Sequence, residues 1–182
     1  MKTTKWAIDP THSEMQFKIK HLMISTVTGQ FNKFEGGFES EGEDFTTAKA
    51  RITADINSIS TNNEQRDAHL KASDFFDLAN HPQLTFESEK IEKLDAENYK
   101  VHGTLTMRGV SKKIILDAEL GSITKDPWGN TRAGFSLNGK INRKDFGVSF
   151  GMLTETGGIA LGEEVKININ AQFVKQAVAE LV

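Results

Sequence analysis

The chain has 182 residues, with 22 lysines and arginines against 25 aspartates and glutamates, and it contains no cysteine. A net charge of -3 provides no summed field that would attract nucleic acid, so we expect no nucleic-acid partner. The lack of cysteine excludes disulfides, thiolate metal sites and a thiol nucleophile. All-β barrels often use this length for one core, and we predict a single domain over residues 1–182.

The start of the chain carries no apolar run followed by a small-residue cleavage site. No later window approaches the length of a membrane-spanning helix, so we expect no membrane span. These features predict a cytoplasmic protein, and a periplasmic one if a leader has been removed.

Apolar and polar residues alternate at a spacing of two in five stretches, without a break over residues 99–107. This period is typical of strands with one dry and one wet face. In chain order, the sequence predicts strands over residues 5–8, 14–20, 26–39, 48–59, 84–91, 99–107, 113–123, 132–141 and 165–174. Within the third strand, Phe31, Phe34 and Phe38 break the alternation, which indicates a bulge near Gly36 and Gly37.

One helical segment interrupts the strands. Thr61 and Glu64 have the spacing of a capping box, which predicts a helical turn that continues to about Lys71. Short, turn-rich connections over residues 108–112 and 126–130 indicate hairpins. The glycine-rich stretch 142–161 predicts a long loop that lies across one mouth of the fold.

About eight or nine antiparallel strands in sequence order can close into an up-and-down barrel, which removes exposed sheet edges. Small residues are frequent at the inward positions: Ala48, Ala50, Ala54, Gly103, Ala118, Ala133, Gly139 and Ala171. Two outcomes stay open at this point. The interior holds an apolar ligand, or the twelve phenylalanines of the chain fill it.

Several blocks resemble the YceI family in order along almost the whole chain. They are IDPTHS (8–13), FKIKHL (17–22), GQF (29–31), SIST (58–61), RDAHLKASDFFD (66–77), HPQLTFES (81–88), GTLTMRGVSK (103–112), AGFSLNGKINRKDFG (133–147) and GEEVKININ (162–170). The resemblance implies an extended eight-stranded, lipocalin-like antiparallel barrel. It also implies a long polyisoprenoid, an isoprenoid quinone or a similar amphiphilic lipid as ligand. It does not imply catalysis, and we expect no further cofactor.

The inward-facing large residues are the candidates for an apolar tunnel around such a ligand. They are Phe17, Ile19, Phe31, Phe34, Ile52, Ile56, Phe86, Leu105, Met107, Leu116, Phe135, Leu137 and Phe146.

Four basic side chains are candidates for contact with a ligand head group: His12, His21, Arg66 and Arg143. Each has an alternative role. The two histidines can instead order a turn, Arg66 can pair with a nearby aspartate, and Arg143 can simply be solvated at the surface.

The five histidines are scattered without ligand spacing, so the sequence predicts no metal site. No nucleophile elbow or phosphate-binding loop occurs, which argues against catalysis. The leading hypothesis is a non-enzymatic lipid carrier or store. The alternative is a packed barrel without lipid, a stress-related or interaction protein that uses Trp128 as a contact. An enzyme acting on a bound lipid is a third hypothesis, and pairing of two barrels into a homodimer stays open.

Overall fold

The computed structural model describes residues 3–21, 25–148 and 161–177, with the backbone alone for His21 and Leu161. The strands are β1 Thr3–Ile8, β2 Glu14–His21, β3 Ser25–Phe31, β4 Phe34–Glu41, β5 Asp44–Asp55, β6 Ile59–Ser60, β7 Gln83–Lys93, β8 Asn98–Met107, β9 Val110–Lys125, β10 Thr131–Asn142 and β11 Leu161–Lys175. A short helix, α1, covers Glu64–Leu70, and 3₁₀ turns cover Pro10–His12, Ile56–Ser58 and Arg143–Phe146. In the described part of the chain, no helix has the length and apolar character needed to cross a bilayer.

The strands form a closed antiparallel barrel with eight positions around the ring, and each position is filled by one strand or by two strands in line. β4, β5, β7, β8, β9, β10 and β11 pair in that order, and β1 closes the ring by pairing with both β4 and β11. β2 continues the path of β1 along β11, while the β3–β6 pair extends the β4–β5 pair. Each position therefore neighbours the next one along the chain. The predicted eight-stranded up-and-down barrel with one short helix is confirmed.

Three adjacent barrel positions are broken in the middle, which the sequence did not predict. Between β1 and β2, Pro10 has no backbone N–H for the ladder, and the Asp9 carboxylate caps the turn by accepting from Thr11 N at 3.0 Å. Asn32 and Lys33 separate β3 from β4, so the single strand predicted over 26–39 is wrong. The strand predicted over 48–59 is likewise two strands separated by a 3₁₀ turn.

The helix has its N-cap two residues after the expected one. Asn63, and not Thr61, is the N-cap residue, because its side-chain oxygen accepts from Arg66 N at 3.0 Å. The capping box predicted for Thr61 and Glu64 is therefore wrong. The Thr61 hydroxyl donates instead to the Asp67 carboxylate at 2.5 Å.

The two ends of the barrel differ. At one, the hairpin end, tight connections over residues 41–44, 93–98 and 125–131 join consecutive strands. The other, the helix end, carries α1, the loop that follows it and the 3₁₀ turn Arg143–Phe146. Of the long loop predicted over 142–161, residues 149–160 lie outside the described residues.

Candidate functional site

The barrel encloses a cavity of about 610 Å³. Most of its lining is aliphatic or aromatic, and every one of the eight barrel positions contributes residues. This follows from the alternation in the sequence, which turns one face of each strand inward. The interior is therefore an elongated apolar chamber and not a solid core.

Six aromatic rings close the hairpin end of the chamber. Phe38 stacks on Trp6 with ring centroids 5.7 Å apart, and meets Phe173 edge-on at 5.0 Å. Phe45 lies 5.4 Å from Phe135 and 6.4 Å from Tyr99. Edge-to-face contacts of this kind stabilise a packed cluster beyond the area that they bury. Five of these six rings, all except Trp6, also border the cavity and form its floor.

The helix end has a mixed border. Phe76, in the loop after α1, packs against Phe31 at 5.9 Å and Phe17 at 6.5 Å between ring centroids. Beside these rings, the cavity is lined by polar side chains of α1 and its approach, including Gln65 and His69. Gln65 and His69 are also exposed to solvent, so the cavity reaches water at this end.

A network of hydrogen bonds orients Arg66 at this border. Its Nε donates to Thr61 Oγ1 and its Nη2 donates to the Thr61 carbonyl, both at 2.7 Å. The Asp67 carboxylate in turn accepts from the Thr61 backbone N–H at 2.8 Å. The aspartate pairing considered for Arg66 from sequence does not occur, since none of the ion pairs among the described residues includes it.

Arg143 lines the cavity from the opposite wall but is 3% exposed. Its Nε donates to the Gly162 carbonyl at 2.8 Å and its Nη1 to the Val148 carbonyl at 2.7 Å. Burial lowers the pKa of the Arg143 guanidinium, an effect that the nearby Glu163 carboxylate opposes. The surface-solvation alternative for Arg143 is therefore wrong.

Arg108 joins the two elements that surround the helix end. It sits in the tight β8–β9 turn with a φ of 53°, followed by Gly109 at 72°. Its guanidinium donates to the Ser73 carbonyl at 2.8 Å, to the Phe146 carbonyl at 3.4 Å and to the Gly147 carbonyl. One side chain thus fixes both the loop after α1 and the turn that carries Arg143.

Inward glycines are covered by neighbouring side chains and add little empty volume. A Cβ on Gly29 would lie 2.2 Å from Phe17 Cζ, and one on Gly103 would lie 2.4 Å from Phe86 Cζ. In both cases the outer end of a ring that borders the cavity covers the glycine of the adjacent strand. Small residues therefore shape the wall as well as enlarge the chamber.

Ten of the apolar residues predicted for the tunnel line the cavity: Phe17, Ile19, Phe31, Ile52, Phe86, Leu105, Met107, Leu116, Phe135 and Leu137. Phe34, Ile56 and Phe146 are buried but do not line it. Phe34 follows the break between β3 and β4, and the other two lie in 3₁₀ turns. Strand alternation ends at these points, so it does not predict their direction.

Of the predicted head-group residues, Arg66 and Arg143 border the cavity and His12 does not. The His12 side chain is 59% exposed and its Nδ1 lies 2.8 Å from Asp9 Oδ2. Asp9 also accepts from Arg132 Nη1 at 2.7 Å, and this hydrogen bond holds its pKa well below the usual range. His12 therefore orders the turn between β1 and β2. His21 ends β2 at the helix end, and its side chain lies outside the described residues.

Sequence reasoning missed the polar residues next to Arg66 and the aromatic pair Phe75–Phe76. The pair stands between polar residues in the stretch 73–77, for which the sequence predicted neither a helix nor a strand, and two adjacent phenylalanines there were a usable signal of burial. Trp128 is 82% exposed at the β9–β10 turn. Within the described ranges, no three histidine or carboxylate side chains cluster as metal ligands would.

A closed eight-stranded antiparallel barrel around one apolar cavity defines a lipocalin-like β-barrel protein. The family model described as the YceI-like domain matches residues 6–173. The chain belongs to the YceI-like family.

Individual relatives agree with this assignment. A UPF0312 protein of Staphylococcus aureus strain N315 is 40% identical over 171 residues, which cover 93% of this chain and 97% of the relative. The solved YCEI protein of Campylobacter jejuni is 38% identical, with a TM-score of 0.75 over 87% of this chain and 90% of that one. A polyisoprenoid binding domain from Saccharophagus degradans shares the fold at 15% identity, with a TM-score of 0.68 over 94% and 98% of the two chains.

Proposed function

We propose that this protein binds the hydrocarbon chain of an isoprenoid or a similar amphiphilic lipid inside the barrel, and carries or stores it without chemical change. The observation that carries the proposal is the apolar cavity of about 610 Å³ with an aromatic floor and a polar border. An amphiphile has the same polarity profile, with an apolar chain and one polar end.

The size of the cavity favours a bound molecule over empty space. Large-to-small substitutions in protein cores cost about 24 cal/mol per Å³ of residual cavity. The apolar wall of a cavity of this volume is therefore stabilised when an apolar chain fills it. Water fills it poorly, because each buried water needs about two to four polar partners and the lining offers few.

The driving force for a lipid chain is large. Each buried methylene contributes about 0.8 kcal/mol, so ten contribute roughly 8 kcal/mol before the entropy cost of immobilising the chain is subtracted. Selectivity among chains is weak, since one methylene more or less changes binding by about 1–3 kcal/mol. The name of the Saccharophagus degradans domain makes polyisoprenoids the first class to test.

A carrier role is favoured over turnover by the chemistry of the lining. The described lining residues include no carboxylate, and their one histidine, His69, lies exposed at the border 3.1 Å from the Asp74 carboxylate, so no general base faces the ligand chain inside the chamber. The alternative of an interaction protein assumed a barrel filled by its phenylalanines, whereas a cavity of about 610 Å³ remains between the rings packed at the helix end, such as Phe17 and Phe76, and those packed at the hairpin end, such as Phe45 and Phe135. A role of Trp128 in contacting a partner stays a prediction.

The test is to purify the protein without detergent, extract it with organic solvent, and identify bound molecules by mass spectrometry. Ala118 is buried on the wall of the cavity, so Ala118→Phe, which places a ring in the chamber, is the matched control. We expect a prenyl or other long-chain species in a near one-to-one ratio from the wild type and less from the variant. Clean extracts from both proteins, also after incubation with isoprenoids, would refute the proposal.

A further inference from the structure

The charges that border the cavity have a single sign. The described lining residues include two arginines and one histidine, but no aspartate or glutamate. The chain as a whole is acidic, with a net charge of -3, so this local excess of positive groups does not reflect the overall composition.

The three basic groups differ in what holds them. His69 lies 3.1 Å from the Asp74 carboxylate, and Arg143 donates to the backbone carbonyls of Val148, just after its own turn, and of Gly162 in β11. Arg66 differs from both, because it donates only to the hydroxyl and the carbonyl of Thr61 among the described residues. Its Nη1 has no hydrogen-bond partner among the residues that the structure describes.

The guanidinium of Arg66 is also held in place before any ligand arrives. The Thr61 hydroxyl donates its hydrogen bond to the Asp67 carboxylate, which leaves the oxygen lone pairs free to accept from Arg66 Nε. The side chain is half-buried at the border of an apolar chamber, where a charge-assisted hydrogen bond is stronger than in water. A fixed, half-buried cation without a carboxylate partner is a receptor for an oxyanion.

We propose that the ligand of this cavity carries an anionic head group, a carboxylate or a phosphate, and that Arg66 selects it. This inference rests on the proposed function, because the head group is presented by a lipid whose chain occupies the barrel. A cationic head group is repelled at the same position, and an uncharged hydroxyl receives only a weaker hydrogen bond.

The experiment compares three amphiphiles with one identical hydrocarbon chain that end in a carboxylate, a hydroxyl or a primary amine. Affinities are measured by equilibrium dialysis at about pH 8, where the carboxylate and the ammonium are both charged, and below the concentration at which each ligand forms micelles. We expect the carboxylate to bind roughly tenfold or more tightly than the alcohol, and the amine to bind least well.

Three variants separate head-group recognition from general effects. Arg66→Gln is expected to lower affinity for the carboxylate about tenfold while leaving the alcohol unchanged, and Arg66→Lys to retain part of the preference. Arg51→Gln is the charge-matched control, because Arg51 lies exposed on the barrel exterior, paired with Glu87 at 2.7 Å. Unchanged binding of the alcohol also shows that each variant is folded.

The outcomes distinguish this inference from the proposed function. Equal affinity of the wild type for carboxylate and alcohol, or an equal loss of both in Arg66→Gln, overturns the anionic head group and leaves lipid binding intact. Failure of all three ligands to bind overturns both. Inorganic phosphate is the competitor that tests for a free anion, and displacement of the lipid carboxylate by equimolar phosphate would overturn the assignment to a lipid head group.

Discussion

Replacement of Gly29 by alanine tests the packing that forms the cavity wall. Gly29 on β3 is paired with Phe17 on β2, and the ring of Phe17 lies in the space where a side chain would be. A Cβ at residue 29 would lie 2.2 Å from Phe17 Cζ and 2.7 Å from both Cε atoms. Carbon atoms in contact are about 3.5–4.0 Å apart, so the ring must move by more than about 1 Å.

The displaced ring has only the chamber to move into, since backbone lies on its other side. It would lose its contacts with Phe31 and Phe76, whose ring centroids lie 5.6 and 6.5 Å away. Overpacking of this kind costs about 1–3 kcal/mol, which lowers the Tm of a chain of this size by about 3–9 °C. The part of the cavity next to Phe17 also becomes smaller, and we expect weaker binding of long-chain ligands.

The matched control is Gly134→Ala on β10, where no heavy atom lies within 4 Å of the added Cβ. This variant is expected to unfold within about 2 °C of the wild type, or slightly above it, because alanine restricts the unfolded chain. Thermal unfolding by circular dichroism and equilibrium dialysis of a lipid give both quantities. If Gly29→Ala and Gly134→Ala have the same Tm, the close packing of the Phe17 ring against Gly29 is refuted. Recovery of stability when Phe17→Leu is added to Gly29→Ala would establish the clash directly.

Three further predictions concern other parts of the barrel. Hydrogen bonds from Arg132 hold the pKa values of Asp9 and Asp126 below their usual range, so the stability that they provide is present above about pH 4 and is lost as the pH falls further. We expect Arg132→Gln to flatten the fall of Tm between neutral and acidic pH, and parallel profiles would contradict this. Arg108→Gln should destabilise the helix end by about 1–3 kcal/mol and speed release of a bound lipid, as measured by stopped-flow transfer to vesicles. Ala118→Phe should raise the Tm of the ligand-free protein and shorten the longest chain that binds, and an unchanged chain-length profile would show that residue 118 does not face the ligand.

The strands could be predicted from sequence because the barrel wall has one face towards the apolar interior and one towards water. This makes apolar and polar residues alternate along each strand. β8 is the clearest example, since unbroken alternation over 99–107 predicted its bounds to within one residue. Outside the strands, the alternation of apolar and polar residues no longer indicates which side chains face the interior. Phe34 and Phe146 are as apolar as the wall residues, but tertiary packing next to a break or in a turn sets their direction.

The candidate site divides in the same way. The apolar wall of the cavity was largely predictable from the strand pattern. The roles of the polar residues at its border depend on contacts between side chains outside the strands, which the pattern does not describe. The sequence marks Arg66 as basic and helical, but only the structure shows that Thr61 orients it. Likewise Arg108 was one residue in a turn, and its bonds to Ser73 and Gly147 span more than thirty residues of chain.

The position of β11 has a consequence for how the chain folds. This last strand pairs with β10, β2 and β1, and Trp6 lies opposite Lys175 in the pairing that closes the ring. Every earlier barrel position can pair with the one before it, yet the sheet keeps two unpaired edges until residues near both termini meet. Such long-range contacts make folding slow, and open edges expose a growing sheet to aggregation. Closure of the barrel is thus expected to be the rate-limiting event of refolding, and an apolar molecule present before that event encounters the chamber while its wall is still open.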